Sequence, residues 1–343
     1  MNDGLIGAGV PVDVYDLLLF DLDGVVYIGP APVPQAPEAI ARAQKAGVRC
    51  TFVTNNASRR PGVVADHLRE FGIDCADDDV VTSAQGAAAM LARRLPAGAP
   101  VLVIGGDGLT WALGEAGLTP VTSLDDDPQA VVQGFGPDVG WRQLAEGAIG
   151  VSQGLPFIAT NLDLTVPTPR GRAPGNGALV GTVVAATGVQ PEVAGKPQPT
   201  LFLEAVARYG GRAPLVIGDR LDTDLEGARA AGLDGLMVLT GVHRTRELLA
   251  AAPGVRPHLI ARDLRGLETV HPAPEPDDDG WRVGSAVVGP GLEVRNAGDD
   301  ALDVLRAACA AAWAGSEVGT GTVDPTSLLA VLHRMEPDGP WGT

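Results

Sequence analysis

Six apolar runs of strand length mark the chain as far as residue 239, and each stops abruptly at polar or turn residues: DVYDLLLF (13–20), VRCTFVT (48–54), PVLVIGG (100–106), LPFIAT (155–160), APLVIG (213–218) and DGLMVL (234–239). Helix-like segments lie between them, among them APEAIARAQKAG (36–47), RPGVVADHLREFG (60–72) and PQPTLFLEAVARYG (197–210). Strands alternating with helices predict a doubly wound, Rossmann-like α/β protein with a parallel sheet. The runs are continuously apolar, which is the pattern of strands covered on both faces. No internal repeat or low-complexity tract interrupts it.

A length of 343 residues suits two or three domains, each large enough to bury a core. No apolar stretch approaches the roughly 18–20 residues that span a bilayer. MNDGLIGAGVPVDVYD, at the start, has acids and no basic region, so no signal peptide is expected. The three cysteines (Cys50, Cys75, Cys309) lack metal-ligand or CxxC spacing, which fits a reducing cytoplasm. A net charge of −17 opposes nucleic acid and anionic lipid alike. An anionic substrate would need local positive charge or a metal. Lysine occurs only at 45 and 196, against 23 arginines, which makes each lysine worth a question.

Composition shifts once, at HPAPEPDDDG (271–280), a proline-rich acidic stretch expected to be a linker. A short module follows over 281–343. In it WRVGSAVVGPGLEVRN reads as a hairpin and DALDVLRAACAAAWAG as a helix, with a second helix opening at Asp324-Pro325. The module resembles a fragment of an acetyltransferase-like fold but is too short for a complete one. An extra packing or oligomerisation element is the favoured reading.

Open α/β sheets bind ligands at the carboxyl ends of their strands. There LLLFDLDG delivers Asp21 and Asp23, CTFVTNN delivers Thr54, Asn55 and Asn56, and PLVIGDRLDTD delivers Asp219, Asp222 and Asp224. GKPQPTLF delivers Lys196 ahead of a helix. Taken singly these are weak signals: acids at a strand end often cap helices, TNN is a common Asx turn, and lysine is usually solvated. Taken in order they suit phosphoryl transfer. One carboxylate can attack phosphorus and form an aspartyl-phosphate. A second, two residues on and on the same side of an extended backbone, can protonate the leaving oxygen. Acids and phosphate repel, so a hard cation such as Mg²⁺ must bridge them. A hydroxyl and an amine then meet the charge on the equatorial oxygens.

DLDGV, TNN, GKP and GDRLDTD resemble the four motifs of the haloacid dehalogenase (HAD) superfamily of phosphohydrolases. The resemblance implies Asp21 as nucleophile, Asp23 as general acid/base, and Thr54, Asn55 and Lys196 as phosphate-binding residues. It implies Mg²⁺ held by Asp21, the Asp23 backbone carbonyl and Asp219, with Asp224 supporting the site.

Spacing locates the remaining chain. Asp21 and Thr54 lie 33 residues apart, room for one strand-helix-strand unit, whereas Thr54 and Lys196 lie 142 apart. The expected organisation is a discontinuous hydrolase core over 12–84 and 190–270, with an inserted α/β cap domain over 85–189. IGGDGL, ATNLDLTVP, PGNGALVGTVVAATG and GKPQPT resemble the class IIA, p-nitrophenylphosphatase-like branch, which acts on small phosphate esters. Resemblance to actinobacterial-type glycerol-3-phosphate phosphatases, which extend past the hydrolase, makes glycerol 3-phosphate the expected substrate. 2-Phosphoglycolate, pyridoxal phosphate and nucleotides are the alternatives. Arg59, Arg60, Arg170, Arg172 and Arg220 are candidate sources of local positive charge, each of which could equally be solvated. Asn161 and Asp163 would contact substrate or set a hinge turn.

The expected partner is a small phosphorylated metabolite, with no nucleic acid, no membrane and a homodimer as candidate assembly. Three rivals are weighed. A dinucleotide-dependent oxidoreductase lacks a complete GxGxxG. A receiver-like phospho-acceptor domain would not carry its acceptor on the first strand with a cap-sized insertion after Thr54. A dehalogenase has no use for Asp23.

Overall fold

The computed structural model describes residues 4–168, 170–278, 280–318 and 324–342. The chain forms two compact units, Met1–Cys50 with Tyr209–Thr343, and Thr51–Arg208. The division falls inside the strand Arg49–Thr54. The expected cap limits, 85 and 189, both lie within the second unit, and 281–343 lies within the first.

In the first unit, strands Leu259–Ala261, Asp234–Val238, Pro214–Gly218 and Leu17–Phe20 are successive parallel neighbours. Leu17–Phe20 is buried throughout, the two-sided covering expected of a continuously apolar strand. The segment before it differs from the sequence reading, because Pro11–Val14 forms a helical turn opened by proline, leaving four residues to the strand. Helix Ala36–Lys45 buries Ala36, Ala39, Ile40 and Ala43, the i, i+3, i+4, i+7 stripe of an amphipathic helix. It stops before Gly47, whose φ of +87° suits glycine.

In the second unit, Arg49–Thr54 pairs in parallel with Val80–Thr82. A separate parallel sheet runs in the order Glu192–Val193, Phe157–Ala159, Val131–Gln133, Pro100–Ile104 and Thr119–Val121. Its two faces are apolar: Val101, Val103, Val132 and Ile158 lie in one cluster, and Leu102, Ile104, Val131 and Phe157 in another. An antiparallel hairpin, Thr165–Thr168 with Gly171–Pro174, carries Arg170 and Arg172.

The linker expectation needs correction. Glu275–Asp277 is the outer strand of a four-stranded antiparallel sheet completed by Gly280–Val283, Ala286–Val288 and Val294–Asn296. Pro276 is accommodated because an outer strand leaves one side of its backbone unpaired. Two helices, Ala301–Val318 and Thr326–Met335, follow. Asp324 accepts hydrogen bonds from Thr326 N (3.0 Å) and Oγ1 (2.6 Å), so the second helix begins two residues past the expected cap.

Among the described residues, this C-terminal region shares its core with the hydrolase part. Val283, Val288, Leu305, Ala308, Trp313, Leu328, Leu332 and Trp341 share one buried cluster with Leu221, Leu225, Met237, Leu239, Leu248 and Ile260 of the hydrolase part. Polar groups along the join are bonded across it. Arg256, 1% exposed, donates from Nη2 to Trp313 O (3.4 Å), and its guanidinium lies 5.3 Å from the Trp313 ring centroid. Trp313 Nε1 donates to Leu248 O (2.9 Å), and Arg306 Nη2 donates to Ile260 O (2.8 Å). Buried His271 lies against Arg306 Nη2 through Nδ1 (3.1 Å) and donates from Nε2 to Gly266 O (2.8 Å).

Two outcomes follow. Trp313→Ala should cost about 3–5 kcal/mol in denaturant unfolding, whereas Trp141→Ala, at an 80% exposed site, should change stability by less than about 0.5 kcal/mol. Equal effects would mean that the shared core contributes nothing. His271 gives a pH dependence: burial pushes its imidazole down to about 4. A lowered pKa favours the neutral ring in the folded state, so its contribution is complete above about pH 6.5 and is lost as pH falls towards 4. His271→Gln should therefore flatten the stability profile in that window, read from urea midpoints at successive pH values.

Candidate active site

The apolar strand Leu17–Phe20 ends where Asp21 N donates to Ile217 O (2.8 Å), which fixes the first acid at the sheet's carboxyl edge. The chain then turns tightly: Val26 N and Tyr27 N both donate to Leu22 O, and Gly24 N donates to Tyr27 O. Gly24 has a φ of +90°, and a Cβ there would come within 2.5 Å of the Asp219 carboxylate. Glycine is required twice over, by conformation and by space. Asp23, in the same turn, is exposed.

Strand Pro214–Gly218 delivers Asp219, and the π-helical turn Leu221–Leu225 delivers Asp224. Both are buried, at 0% and 1% exposure. Asp219 Oδ2 accepts from Val242 N (2.6 Å), and Asp224 Oδ2 accepts from Arg220 N (3.2 Å). A Cβ on Gly218 would collide with Asp224, and one on Gly241 would collide with Asp219. Among the described residues, Asp21, Asp219 and Asp224 offer oxygens that all lie within 4.8 Å of one another. The donor set is all carboxylate oxygen, in a cradle kept open by glycines, and it fits a hard divalent cation. Arg220 turns to Asp222, with Nε to Oδ1 at 3.0 Å and Nη2 to Oδ2 at 2.9 Å.

The second unit holds the TNN and GKP residues around Asn55. Thr54 is buried, and its Oγ1 accepts from Asn56 N (3.1 Å). Asn55 Oδ1 accepts from Lys196 N (2.8 Å), while its Nδ2 donates to Lys196 O (3.1 Å) and Asp163 Oδ2 (3.2 Å). Asn55 O accepts from Ser83 Oγ (2.5 Å) and Asn161 Nδ2 (2.7 Å). Lys196 is 4% exposed, and its Nζ donates to Val53 O (3.2 Å). The structure thus gathers Thr54, Asn55, Asn161, Asp163 and Lys196. Arg60 pairs with Asp107, and Arg59, Arg170 and Arg172 are exposed.

Sequence reasoning missed three contributors. Ser83 and Asn176, whose Nδ2 donates to Asn161 O (2.7 Å), carry no motif signal. The loop after strand Asp234–Val238 did carry one, since it leaves a carboxyl end as LTGVHR. Thr240 Oγ1 donates to Gly24 O (2.5 Å), Val242 N holds Asp219, and His243 Nδ1 accepts from Leu221 N (2.9 Å).

Residues 18–119 match the haloacid dehalogenase-like hydrolase family, and residues 193–267 match a second HAD-like hydrolase description. Residues 278–335 match a GCN5-related N-acetyltransferase like domain. The chain belongs to the haloacid dehalogenase-like hydrolases and is an enzyme of their phosphatase branch. It is 45% identical over 309 residues to the D-glycerol 3-phosphate phosphatase of Mycobacterium tuberculosis, covering 87% of this chain and 86% of that one. An acid sugar phosphatase of Staphylococcus aureus is 38% identical over 68% of this chain and 90% of its own.

Among solved structures, a Mycobacterium tuberculosis glycerol phosphate phosphatase in complex with magnesium gives a TM-score of 0.85 at 42% identity, covering 96% of this chain and 99% of that one. The 4-nitrophenylphosphatase of Thermotoga maritima gives 0.69 at 28% identity, covering 75% and 97%. Membership sets aside the oxidoreductase and receiver-like readings.

Asn55→Ala removes the group that ties Lys196 to Asp163. It should lower kcat/KM for p-nitrophenyl phosphate by about 10²-fold, the scale of a misplacement of about 1 Å. Unchanged kinetics would show that Lys196 keeps its place without Asn55.

Proposed function

We propose that the chain is a Mg²⁺-dependent phosphomonoester hydrolase whose substrate is glycerol 3-phosphate, released as glycerol and inorganic phosphate. The carrying observation is the Asp21–Asp219–Asp224 cluster in a chain 45% identical, over 87% of its length, to an enzyme named for that substrate. The acid sugar phosphatase relative aligns with 68% of this chain, which leaves sugar phosphates less favoured. 2-Phosphoglycolate, pyridoxal phosphate and nucleotides are the competitors within the same class. Three free, buried cysteines support a reducing cytoplasm as the setting. Among the described residues no helix is long and apolar enough to cross a membrane.

In this reading Asp21, Asp219 and the Asp23 carbonyl would hold the cation, with Asp224 supporting them. The cation supplies the positive charge that lets a carboxylate approach a phosphate dianion. An Asp21 oxygen attacks phosphorus, the ester P–O bond breaks, and Asp23 gives its proton to the departing alkoxide. Asp23, now a carboxylate, takes a proton from water, and the resulting hydroxide attacks the aspartyl-phosphate. The P–O bond to Asp21 breaks, phosphate leaves, and both side chains return to their starting states. The exposure of Asp23 suits a group that must meet both alkoxide and water. Thr54, Asn55 and Lys196 serve the equatorial oxygens. Arg59 and Arg170, both exposed, are assigned to attracting the anion. Asn161 and Asp163 are assigned to positioning Asn55, to which both are bonded.

The test is phosphate release from a panel of small phosphate esters, with and without Mg²⁺. Glycerol 3-phosphate should give the highest kcat/KM, and Asp21→Asn should reduce kcat by about 10⁴-fold or more. Full turnover in Asp21→Asn, or undiminished turnover in excess chelator, would overturn the mechanism. A better ester would overturn the substrate alone.

A further inference from the structure

The loop 239–244 is held from two sides. On one side it organises the carboxylate cluster. Val242 N donates to Asp219 Oδ2 (2.6 Å), His243 N donates to Asp219 O (3.2 Å), and Gly241 packs against the Asp219 side chain. Thr240 Oγ1 reaches Gly24 O, in the turn that follows Asp21.

On the other side it is held by the C-terminal tail, which contributes none of the four motifs. Arg244 Nη1 donates to Pro340 O (3.2 Å), and a Cβ added at Gly342 would lie 3.4 Å from the Arg244 side chain. Trp341 is fully buried in the cluster that contains Leu239 and Leu221. Its Nε1 donates to Glu336 O (3.2 Å), and its ring lies 5.4 Å from the Arg262 guanidinium. Arg262 in turn donates from Nε to Glu336 Oε2 (2.8 Å) and from Nη2 to Asp300 Oδ1 (2.5 Å).

We propose that the tail 336–342 braces the loop 239–244, with Arg244 and Trp341 as positioning residues for cation binding at Asp219. The reasoning is mechanical. A backbone N–H oriented at a carboxylate fixes which oxygen faces a cation, and outer groups that orient ligands change metal affinity when removed. The loop has no regular structure of its own, so its geometry is set by what it packs against. Loosening the tail frees Val242 N and lets the Asp219 carboxylate rotate against its like-charged neighbours. The proposal rests on the metal reading given above.

The experiment measures Mn²⁺ binding to the full chain without substrate, by electron paramagnetic resonance of free Mn²⁺, alongside thermal midpoints. Arg244→Ala should bind about threefold more weakly and Trp341→Ala about tenfold more weakly. Leu328→Ala is the control. It lies in the same buried cluster but outside the tail, and it should lower the midpoint while leaving Mn²⁺ affinity unchanged. Wild-type affinity in either Arg244→Ala or a folded Trp341→Ala would overturn the brace. So would an equal loss in Leu328→Ala, which would mean that affinity follows stability alone. Should Trp341→Ala fail to fold, Arg244→Ala decides. No Mn²⁺ binding by the wild-type chain would instead overturn the metal reading itself, a separate outcome.

Discussion

Repulsion among three carboxylates organises the site around it. With oxygens of Asp21, Asp219 and Asp224 all within 4.8 Å of one another, each fully charged pair costs about 3–4 kcal/mol at an effective dielectric constant of 20. A fold of ordinary stability, about 5–15 kcal/mol, does not keep such a cluster without compensation. Part of it is visible in backbone donors, Val242 N to Asp219 and Arg220 N to Asp224. The cation proposed above would supply the rest. The glycines at 24, 218 and 241 express the same constraint sterically, since a side chain at any of them would take the space the acids occupy.

The second unit solves a different problem, how to bury an amine. Lys196 is 4% exposed, and lysine is seldom buried without partners. Asn55 acts as the connector: its amide bonds both the N–H and the C=O of Lys196, while its own carbonyl is held by Ser83 and Asn161. Arginine replaces lysine almost everywhere else in this chain, yet here a compact point charge is retained. Its Nζ donates to Val53 O (3.2 Å).

Much of this was legible in the sequence because the relevant signals are local. A continuously apolar strand ending in an acid, a helix with its i, i+3, i+4, i+7 stripe closed by glycine, and a proline at a helix start each report on a few neighbouring residues. Strands Arg49–Thr54, Pro100–Ile104, Pro214–Gly218 and Asp234–Val238 accordingly fall inside the apolar runs. What escaped depends on pairing at a distance. Glu275–Asp277 reads as a linker until Gly280–Arg282 lies beside it. Ser83 and Asn176 look like ordinary helix-start residues until the carbonyls they bond are placed. The loop 239–244 was within reach, since the strand-end rule that flagged Asp21 and Asp219 applies equally to DGLMVL.

The C-terminal region shows how an added segment comes to matter to chemistry it does not perform. A p-nitrophenylphosphatase aligned over 97% of its own length spans 75% of this chain. Here Leu239, Leu248 and Ile260 are fully buried in a cluster to which the extension contributes Trp313, Leu328 and Trp341. The first turn of helix Ala301–Val318 carries Asp303, and Asp300 precedes it. Asp300 is committed to Arg262. The region packs on the hydrolase part, and the packed surface includes the back of the loop whose front holds Asp219. Residues that contribute none of the four motifs thus share a loop with a carboxylate of the Asp21–Asp219–Asp224 cluster.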